Sequence, residues 1–309
     1  MNRVNRPSLT IISPCFNEAR ILNSFWDRLR PVVDLVAGRV DVTVLFVNNG
    51  STDETARILS GIRGGDPRVG YITLSRNFGY QGALDAGVRH AKSDLYCVID
   101  ADGEDPPELI LQFLDAIDSG ADIAYGVRRT RQEPVYRSAL RKIFYRVVRT
   151  VSDDPFRVDT GEFSMFTDEL KRSALSENNS FPFLRASLAR VGYSSTGIPH
   201  DRHERIGGRS SLNAIGMLNF AVGGLLSSST FPLRLALYLL PLHLLMITSL
   251  GVVSLAISST GPLLVALYLA NILVMIQLAF VSVYLARTYK NGLHRPSSFV
   301  VKRLSSTDD

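Results

Sequence analysis

Along the first 126 residues, some segments have the apolar pattern of a β-strand and others have the apolar spacing of an α-helix. Short apolar runs rich in β-branched residues predict five strands, which begin at Leu9, Asp41, Val69, Asp94 and Asp122. Apolar residues at helical spacing predict four intervening helices, over 18–36, 53–63, 80–93 and 107–120. This order predicts an α/β domain with a mostly parallel sheet and helices on both faces.

The last third of the chain has a different pattern. No Asp, Glu, Lys or Arg occurs from Leu235 to Ala286, where "SSTGP" separates two apolar runs. Each run exceeds the roughly 20 residues that a helix needs to cross a bilayer, and the separator fits a tight turn. The alternative is a buried helical pair of a soluble protein, but such helices carry a polar stripe, which these runs lack. The pattern predicts two transmembrane helices.

The flanks of these runs predict their orientation. Basic residues follow the second run and the connecting turn is uncharged, so the positive-inside rule puts both ends in the cytosol. The N-terminal stretch shows no secretory signal, which agrees with this orientation. In the cytoplasmic membrane we therefore expect a cytosolic domain at 1–210, an interfacial amphipathic segment at 211–232, two transmembrane helices within 233–287, and a cytosolic basic tail at 288–309.

Composition and charge refine this picture only locally. The formal charge is +5, from 34 Lys and Arg against 29 Asp and Glu. Basic residues concentrate between Arg128 and Arg149, where Arg137 and Arg141 recur at i, i+4, and this predicts an amphipathic helix at an anionic membrane surface. The alternatives are a solvated face or an RNA contact, but no RNA-binding motif is evident. Cys15 and Cys97 lie in apolar runs without CxxC spacing, which favours inert packing thiols.

Polar or glycine-containing segments follow all five predicted strands: "PCFNE", "NNGSTD", "SRNFGYQG", "DADGED" and "GVRRTR". Ligands of such sheets bind off the carboxyl ends of the strands, so these segments predict a nucleotide site. The alternative is a set of ordinary solvated loops. Neither GxGxxG nor GxxxxGK[ST] occurs, which argues against a dinucleotide site or a P-loop.

The segment "DADGEDPPE" places four carboxylates directly after a buried strand. Such a cluster needs a neutralising partner, because like charges close together are unfavourable. On an extended segment Asp100, Asp102 and Glu104 point the same way and would suit Mg²⁺ or Mn²⁺ bridging a nucleotide diphosphate. The alternative is that these carboxylates cap the next helix, a role that we assign to Asp105.

Five motifs in order, "IISPCFNEARIL", "VLFVNNGSTDET", "LSRNFGYQGALDAG", "CVIDADGEDPPELI" and "GVR", resemble the metal-dependent family-2 glycosyltransferases of the GT-A fold. The chain is most similar to the polyprenyl-phosphate glycosyltransferases, and the resemblance covers nearly its whole length. It implies inverting transfer of a sugar from a UDP or GDP donor, with CDP also open, to undecaprenyl or dolichyl phosphate. It also implies Mg²⁺ or Mn²⁺ as cofactor and no nucleic acid, and it is compatible with a homo-oligomer.

The resemblance implies the following roles. The nucleotide would contact Pro14, Phe16, Glu18, Val47, Asn49, Asp100 and Ala101. The metal would bind Asp100, Asp102 and Glu104. Catalysis would involve Asp102, Arg128 and Arg205. The acceptor phosphate would bind Arg128, Arg137, Arg141 and Ser210.

The chain departs from the family pattern at three places. Asn48-Asn49 replaces Asp-Asp, Glu104 replaces Gln, and the loop "GRSS" from Gly208 lacks the usual lysine. These departures leave two alternatives open: another membrane lipid as acceptor, with Glu162 as base for a hydroxyl, or a catalytically silent scaffold. Retention of Asp102 favours an enzyme.

Overall fold

The computed structural model describes residues 6–129, 160–176, 182–203 and 229–304. Eight strands occur in these ranges: β1 (Ser8–Cys15), β2 (Asp41–Asn48), β3 (Val69–Leu74), β4 (Leu95–Val98), β5 (Ile123–Arg128), β6 (Thr160–Thr167), β7 (Ser195–His200) and β8 (Val300–Leu304). The helices in the same ranges are α1 (Leu22–Val36), α2 (Thr55–Gly65), α3 (Gly79–His90), α4 (Leu109–Asp118), α5 (Asp168–Leu175), α6 (Leu184–Arg190), α7 (Phe231–Ala256) and α8 (Gly261–Gly292).

The strands form one sheet in the order β7-β5-β6-β4-β1-β2-β3-β8. Strands β1 to β4 run parallel, and β5 shares their direction because both β4 and β5 are antiparallel to the intervening β6. The five predicted strands and four predicted helices are confirmed, and so is the α/β architecture. The carboxyl ends of all five strands meet at one edge, which we call the carboxyl edge.

Apolar side chains cover both faces of the sheet. On one face Phe25, Trp26 and Phe46 pack with α4 residues such as Phe113. On the other face Tyr96 and Phe166 pack against α3, α5 and α6. Burial of both faces explains why the strands read as continuous apolar runs, since a parallel sheet between helix layers has no solvated side.

Both cysteines lie inside these layers. Cys15 and Cys97 are buried and free, as predicted. Burial raises the pKa of both thiols, so they remain protonated at neutral pH.

Three strands were not predicted. β6 inserts antiparallel between β4 and β5, and its first residues, Thr160 to Glu162, therefore lie at the carboxyl edge. β7 pairs with β5. β8 comes from the predicted basic tail and pairs antiparallel with β3, so this part of the tail extends the sheet.

The two apolar helices form a hairpin. The hydroxyl of Tyr284, near the end of α8, donates to the carbonyl of Ser229 just before α7, at 2.5 Å. The helices have a mean hydropathy of 2.0 and 2.4 and are long enough to cross a membrane. Most of their leucine and valine side chains are exposed, as on Leu255 at 83% and Leu285 at 66%. A soluble protein would bury such surface, so the exposure fits lipid contact.

The chain returns from α8 to the sheet at the carboxyl edge. α8 ends at Gly292, and the amide of Ser75, just after β3, donates to the carbonyl of Phe299 at 2.9 Å. Because β8 is antiparallel to β3, it enters the sheet beside the carboxyl end of β3. The apolar hairpin is thus connected to the edge at which the predicted site residues lie.

Candidate active site

Two loops at the carboxyl edge are bound directly to each other. The backbone amide of Asn17, a residue with a φ of 56°, donates to the Ser51 hydroxyl at 3.0 Å, and its side-chain oxygen accepts from the Thr52 amide at 2.9 Å. The Glu18 amide donates to the Thr55 hydroxyl at 3.0 Å. These contacts join the segment after β1 to the segment after β2 and form one wall of the site.

Asn49 joins a third loop to this wall. Its amide nitrogen donates to Asn77 Oδ1 at 3.0 Å and to the Gly79 carbonyl, and its oxygen accepts from the Phe78 amide at 3.0 Å. The side chain is buried, and both ends of its amide are engaged within the protein. In this structure Asn49 therefore holds the loop after β3, and its contact with the nucleotide stays a prediction. Its partners, 28 to 30 residues away, could not be identified from the sequence.

Asp100 lies two residues after β4 and contacts Tyr80, a residue that the sequence did not indicate. The hydroxyl of Tyr80, in the first turn of α3, donates to Asp100 Oδ1 at 2.5 Å. Burial, with the charges of Asp102, Asp105 and Glu162, raises the pKa of Asp100 to about 7. Burial and the nearby carboxylates also raise the pKa of Tyr80, which keeps its hydroxyl a donor. This cluster of negative charge suits a cation.

Glu104 does not join Asp100 and Asp102. The chain turns at Gly103, with a φ of 71°, so the segment is not extended and the expected period of two is wrong. Asp102 Oδ1 accepts from the Glu104 amide at 3.0 Å, and the Glu104 carboxylate pairs with Arg202. Within residues 6–129, 160–176, 182–203 and 229–304, no three carboxylate, His or Cys side chains gather as a metal site. The predicted three-carboxylate site is therefore corrected to two candidate ligands.

Asp105 is a buried structural carboxylate. Its Oδ1 lies 3.3 Å from His200 Nε2 and 3.3 Å from Arg202 Nε, and it makes no bond that caps α4, so the capping role is wrong. Burial alone would raise the pKa of Asp105, but the His200 hydrogen bond and the charges of Arg202 and Arg128 outweigh burial and lower it. Asp105 thus fixes the end of β7 to the segment after β4.

We expect Asp105→Asn to lower the free energy of unfolding at neutral pH by about 2 kcal/mol, since it removes charge-assisted hydrogen bonds in a buried site. Because folding lowers this pKa, the stabilisation is present above the unfolded pKa and is lost as the pH falls through the folded one. The difference between variant and wild type should shrink in acid, measured by denaturant unfolding at several pH values. Asp115→Asn is the control, because Asp115 is exposed and pairs with Arg39.

Glu162 lies at the start of β6 on the same edge. Gln81 Nε2 donates to its carboxylate at 3.0 Å, while Gln81 Oε1 accepts from the Leu184 amide at 3.1 Å. Burial raises the pKa of Glu162, and the charge of Arg185 opposes this shift. The Arg128 guanidinium passes over Gly161, where a Cβ would lie 2.8 Å from Nη2. The structure therefore places Arg128 and Glu162 together at the edge.

The remaining predicted residues divide into three groups. Phe16 is 38% exposed and Glu18 is half-buried in the loop after β1. Pro14, Val47 and Ala101 are buried, and Val47 packs in the core beside α3, so its side chain does not line an open pocket. Four predicted residues, Arg137, Arg141, Arg205 and Ser210, lie outside the described residues, as does most of the predicted interfacial segment.

A cavity on the opposite edge of the sheet is separate from these residues. It has a volume of about 560 Å³ and is lined by residues that include Thr10, Thr43 and Lys92. None of the predicted site residues that the structure describes lines it. The candidate site is the carboxyl edge, which holds the Asp100–Asp102 turn and the Arg128–Glu162 pair.

Ligands of an open α/β sheet bind off the carboxyl ends of its strands, so the acidic turn lies where the fold places a ligand site. The family model for glycosyl transferase family 2 matches residues 10–190, which is more than half of the chain. The chain belongs to this family and has the GT-A fold that the resemblance implied.

Individual relatives extend this similarity to the apolar helices. The uncharacterized glycosyltransferase YkcC of Bacillus subtilis is 33% identical over 95% of this chain and 93% of its own length. The bactoprenol glucosyl transferase of Shigella phage SfV is 28% identical over 95% of this chain and 98% of its own length. Among solved structures, the mannosyltransferase PcManGT of Pyrobaculum calidifontis, in complex with GDP-Man and Mn²⁺, aligns over 87% of this chain and 88% of its own, with 19% identity and a TM-score of 0.45.

Proposed function

We propose that this glycosyltransferase moves a sugar from a nucleoside-diphosphate sugar to a polyprenyl phosphate at the cytosolic surface of the membrane. The observation that carries the proposal is the return of the chain from α8 to the carboxyl edge. A donor site and a membrane hairpin that share one edge suit an enzyme whose acceptor is a lipid. The name of the phage relative, a bactoprenol glucosyl transferase, supports the same acceptor class.

The length of the connection limits how far the site can lie from the membrane. Residues 293–299 join the end of α8 to the contact between Phe299 and Ser75. Seven residues span at most about 25 Å when fully extended. The carboxyl edge therefore lies within reach of a lipid headgroup if the hairpin crosses the bilayer. Because the Tyr284–Ser229 contact joins the two open ends of the hairpin, both ends lie on the side of the α/β domain.

The donor would bind along the loops after β1, β2 and β4. Asp100 and Asp102 fit a divalent cation, since burial and the neighbouring carboxylates raise the pKa of Asp100 and oxygen is the ligand atom that Mg²⁺ and Mn²⁺ prefer. When bound, such an ion would act as a Lewis acid on the leaving diphosphate. Arg128 would add positive charge beside the phosphates.

The acceptor determines whether the enzyme needs a base. A lipid phosphate is already an anion near neutral pH, so it needs desolvation and orientation by the protein and no proton removal. Attack on the sugar C1 from the face opposite the leaving diphosphate inverts the anomeric centre. A lipid hydroxyl would instead need a base. Glu162 is the candidate base for this second acceptor, because burial raises its pKa. It also lies close to the site, since its charge raises the pKa of both Asp100 and Tyr80.

The variant Glu162→Gln separates the two acceptors. We expect it to retain at least about one-tenth of the wild-type kcat with undecaprenyl phosphate, because no proton is removed from that acceptor. The assay uses full-length protein in detergent with Mn²⁺, undecaprenyl phosphate and UDP-, GDP- and CDP-sugars in turn, and follows release of the nucleoside diphosphate. Glu169→Gln is the control, because Glu169 is exposed.

The outcomes of this assay differ for each hypothesis. Release that requires undecaprenyl phosphate and survives Glu162→Gln supports the proposal. Wild-type release that requires a lipid bearing a hydroxyl, and that falls by about 10²-fold or more in Glu162→Gln, would favour the second acceptor. Absence of release with every donor and either lipid would favour a silent scaffold.

A further inference from the structure

The segment between α8 and β8, residues 293–299, contacts the loop after β3 at two points and α3 at one. We call this segment the strap and residues 75–78 the β3–α3 loop. The Ser75 amide donates to the Phe299 carbonyl at 2.9 Å. The rings of Phe78 and Phe299 pack with their centroids 6.2 Å apart. The Ser297 hydroxyl donates to the carboxylate of Asp85, a buried residue of α3.

The β3–α3 loop is held on its other side by the wall of the site. Asn49 bonds to the Phe78 amide, to Asn77 Oδ1 and to the Gly79 carbonyl. The Arg76 guanidinium lies 4.1 Å from the centroid of the Phe78 ring. Phe78 also lies tight on α3, since a Cβ on Gly82 would be 2.9 Å from Phe78 Cβ. The Phe78 ring is thus packed between groups of the site and the strap.

The loop leads directly into the site. Gly79, with a φ of 77°, turns the chain into α3, and the next residue, Tyr80, donates to Asp100. Tyr80 is one turn from the residues that the strap contacts, and Gly79 is bonded to Asn49. Gly79 is the one residue between Phe78 and Tyr80. A shift of Phe78 would therefore pass along this short stretch of backbone and move the Tyr80 hydroxyl.

We propose that the strap is a positioning element: it couples the membrane hairpin to the donor site by holding Tyr80 against Asp100. This inference rests on the proposed function, because it takes Asp100 as part of the binding site for a nucleoside diphosphate with its divalent cation. Phe299 and Ser297 are then positioning residues that act through Phe78 and Tyr80. Detachment of the strap from the sheet lowers nucleotide affinity without any change in the residues that touch the nucleotide.

A double-mutant cycle tests the coupling in the full-length protein in detergent. The variants are Phe299→Ala, Tyr80→Phe and the double variant, and the readout is the Kd of UDP and of GDP with Mn²⁺ by titration calorimetry. Each single variant should raise the Kd of the nucleotide that binds by about threefold to tenfold. The Kd of the double variant should lie within about twofold of the higher of the two single-variant Kd values, because both changes act on one contact. Val301→Ala is the control, since Val301 is exposed in β8.

Other outcomes overturn the coupling or the proposed function separately. Additive effects in the double variant, or an unchanged Kd in Phe299→Ala, would overturn the coupling while nucleotide binding by the wild type is intact. Failure of the wild type to bind UDP, GDP or, tested in the same way, CDP would overturn the proposed function, and the coupling with it. If Phe299→Ala does not fold, Ser297→Ala takes its place in the cycle, since it removes only the hydrogen bond to Asp85.

Discussion

We expect Asp102→Asn to lower the rate of sugar transfer by about 10²- to 10³-fold, the usual cost of removing one group that stabilises developing charge. The asparagine keeps an oxygen that can accept from the Glu104 amide, so the turn at Gly103 should persist. The negative charge beside Asp100 is lost, and with it one candidate ligand of the cation. The loss should appear in kcat with saturating Mn²⁺ and donor, measured by release of the nucleoside diphosphate.

The matched control for this variant is Asp118→Asn. Asp118 is an exposed residue at the end of α4 that pairs with Arg39. We expect its removal to leave kcat within about twofold of wild type, because exposed ion pairs contribute little. A kcat of Asp102→Asn that equals that of the control would show that Asp102 has no part in the chemistry.

Gly50→Ala should be the most destabilising single substitution that we predict. Gly50 has a φ of 70°, and a Cβ there would lie 2.4 Å from the carbonyl carbon of Arg76. Backbone strain and a clash with main-chain atoms each cost about 1–3 kcal/mol. We expect the free energy of unfolding to fall by about 4 kcal/mol, with loss of nucleotide binding, because Gly50 lies where the loop after β2 meets the loop after β3. Denaturant unfolding and calorimetry measure the two effects.

Gly61→Ala is the control for this prediction. Gly61 lies inside α2, and a Cβ there would have no neighbour within 4 Å. The same substitution at this position should stabilise the protein by up to about 1 kcal/mol, because alanine is the better helix former. A Gly50→Ala variant as stable as Gly61→Ala would mean that the two loops do not approach as closely as the structure has them.

Much of the fold could be predicted from local patterns. The apolar patterns predicted β1 to β5 and α1 to α4. They could do so because each parallel strand is buried on both faces, and each helix packs one apolar face on the sheet. The unpredicted strands depend on distant partners. β6 pairs with β4 some 70 residues away, and β8 pairs with β3 some 230 residues away. Alternation at "EFSMF" was the one local signal of β6.

The position of the site could be predicted from the sequence, but the contacts of its individual residues could not, because they too depend on distant parts of the chain. Asp100 and Asp102 follow a buried strand, and that position alone marked them. The partners that give other residues their roles lie far along the chain: Arg202 for Glu104, the loop at Asn77 for Asn49, and Tyr80 for Asp100. A single glycine, Gly103, also decided that the acidic segment turns and does not extend.

The most direct measurement of the central claim is the mass of the lipid after the reaction. Full-length protein in detergent with Mn²⁺, undecaprenyl phosphate and the donor panel would be extracted with organic solvent and analysed by mass spectrometry. We expect a lipid product heavier than undecaprenyl phosphate by one sugar residue, formed from one class of donor and formed about 10²-fold or more slowly by Asp102→Asn. Undecaprenyl phosphate recovered unchanged while the nucleoside diphosphate is released would contradict the account, because the sugar would then have gone to another acceptor.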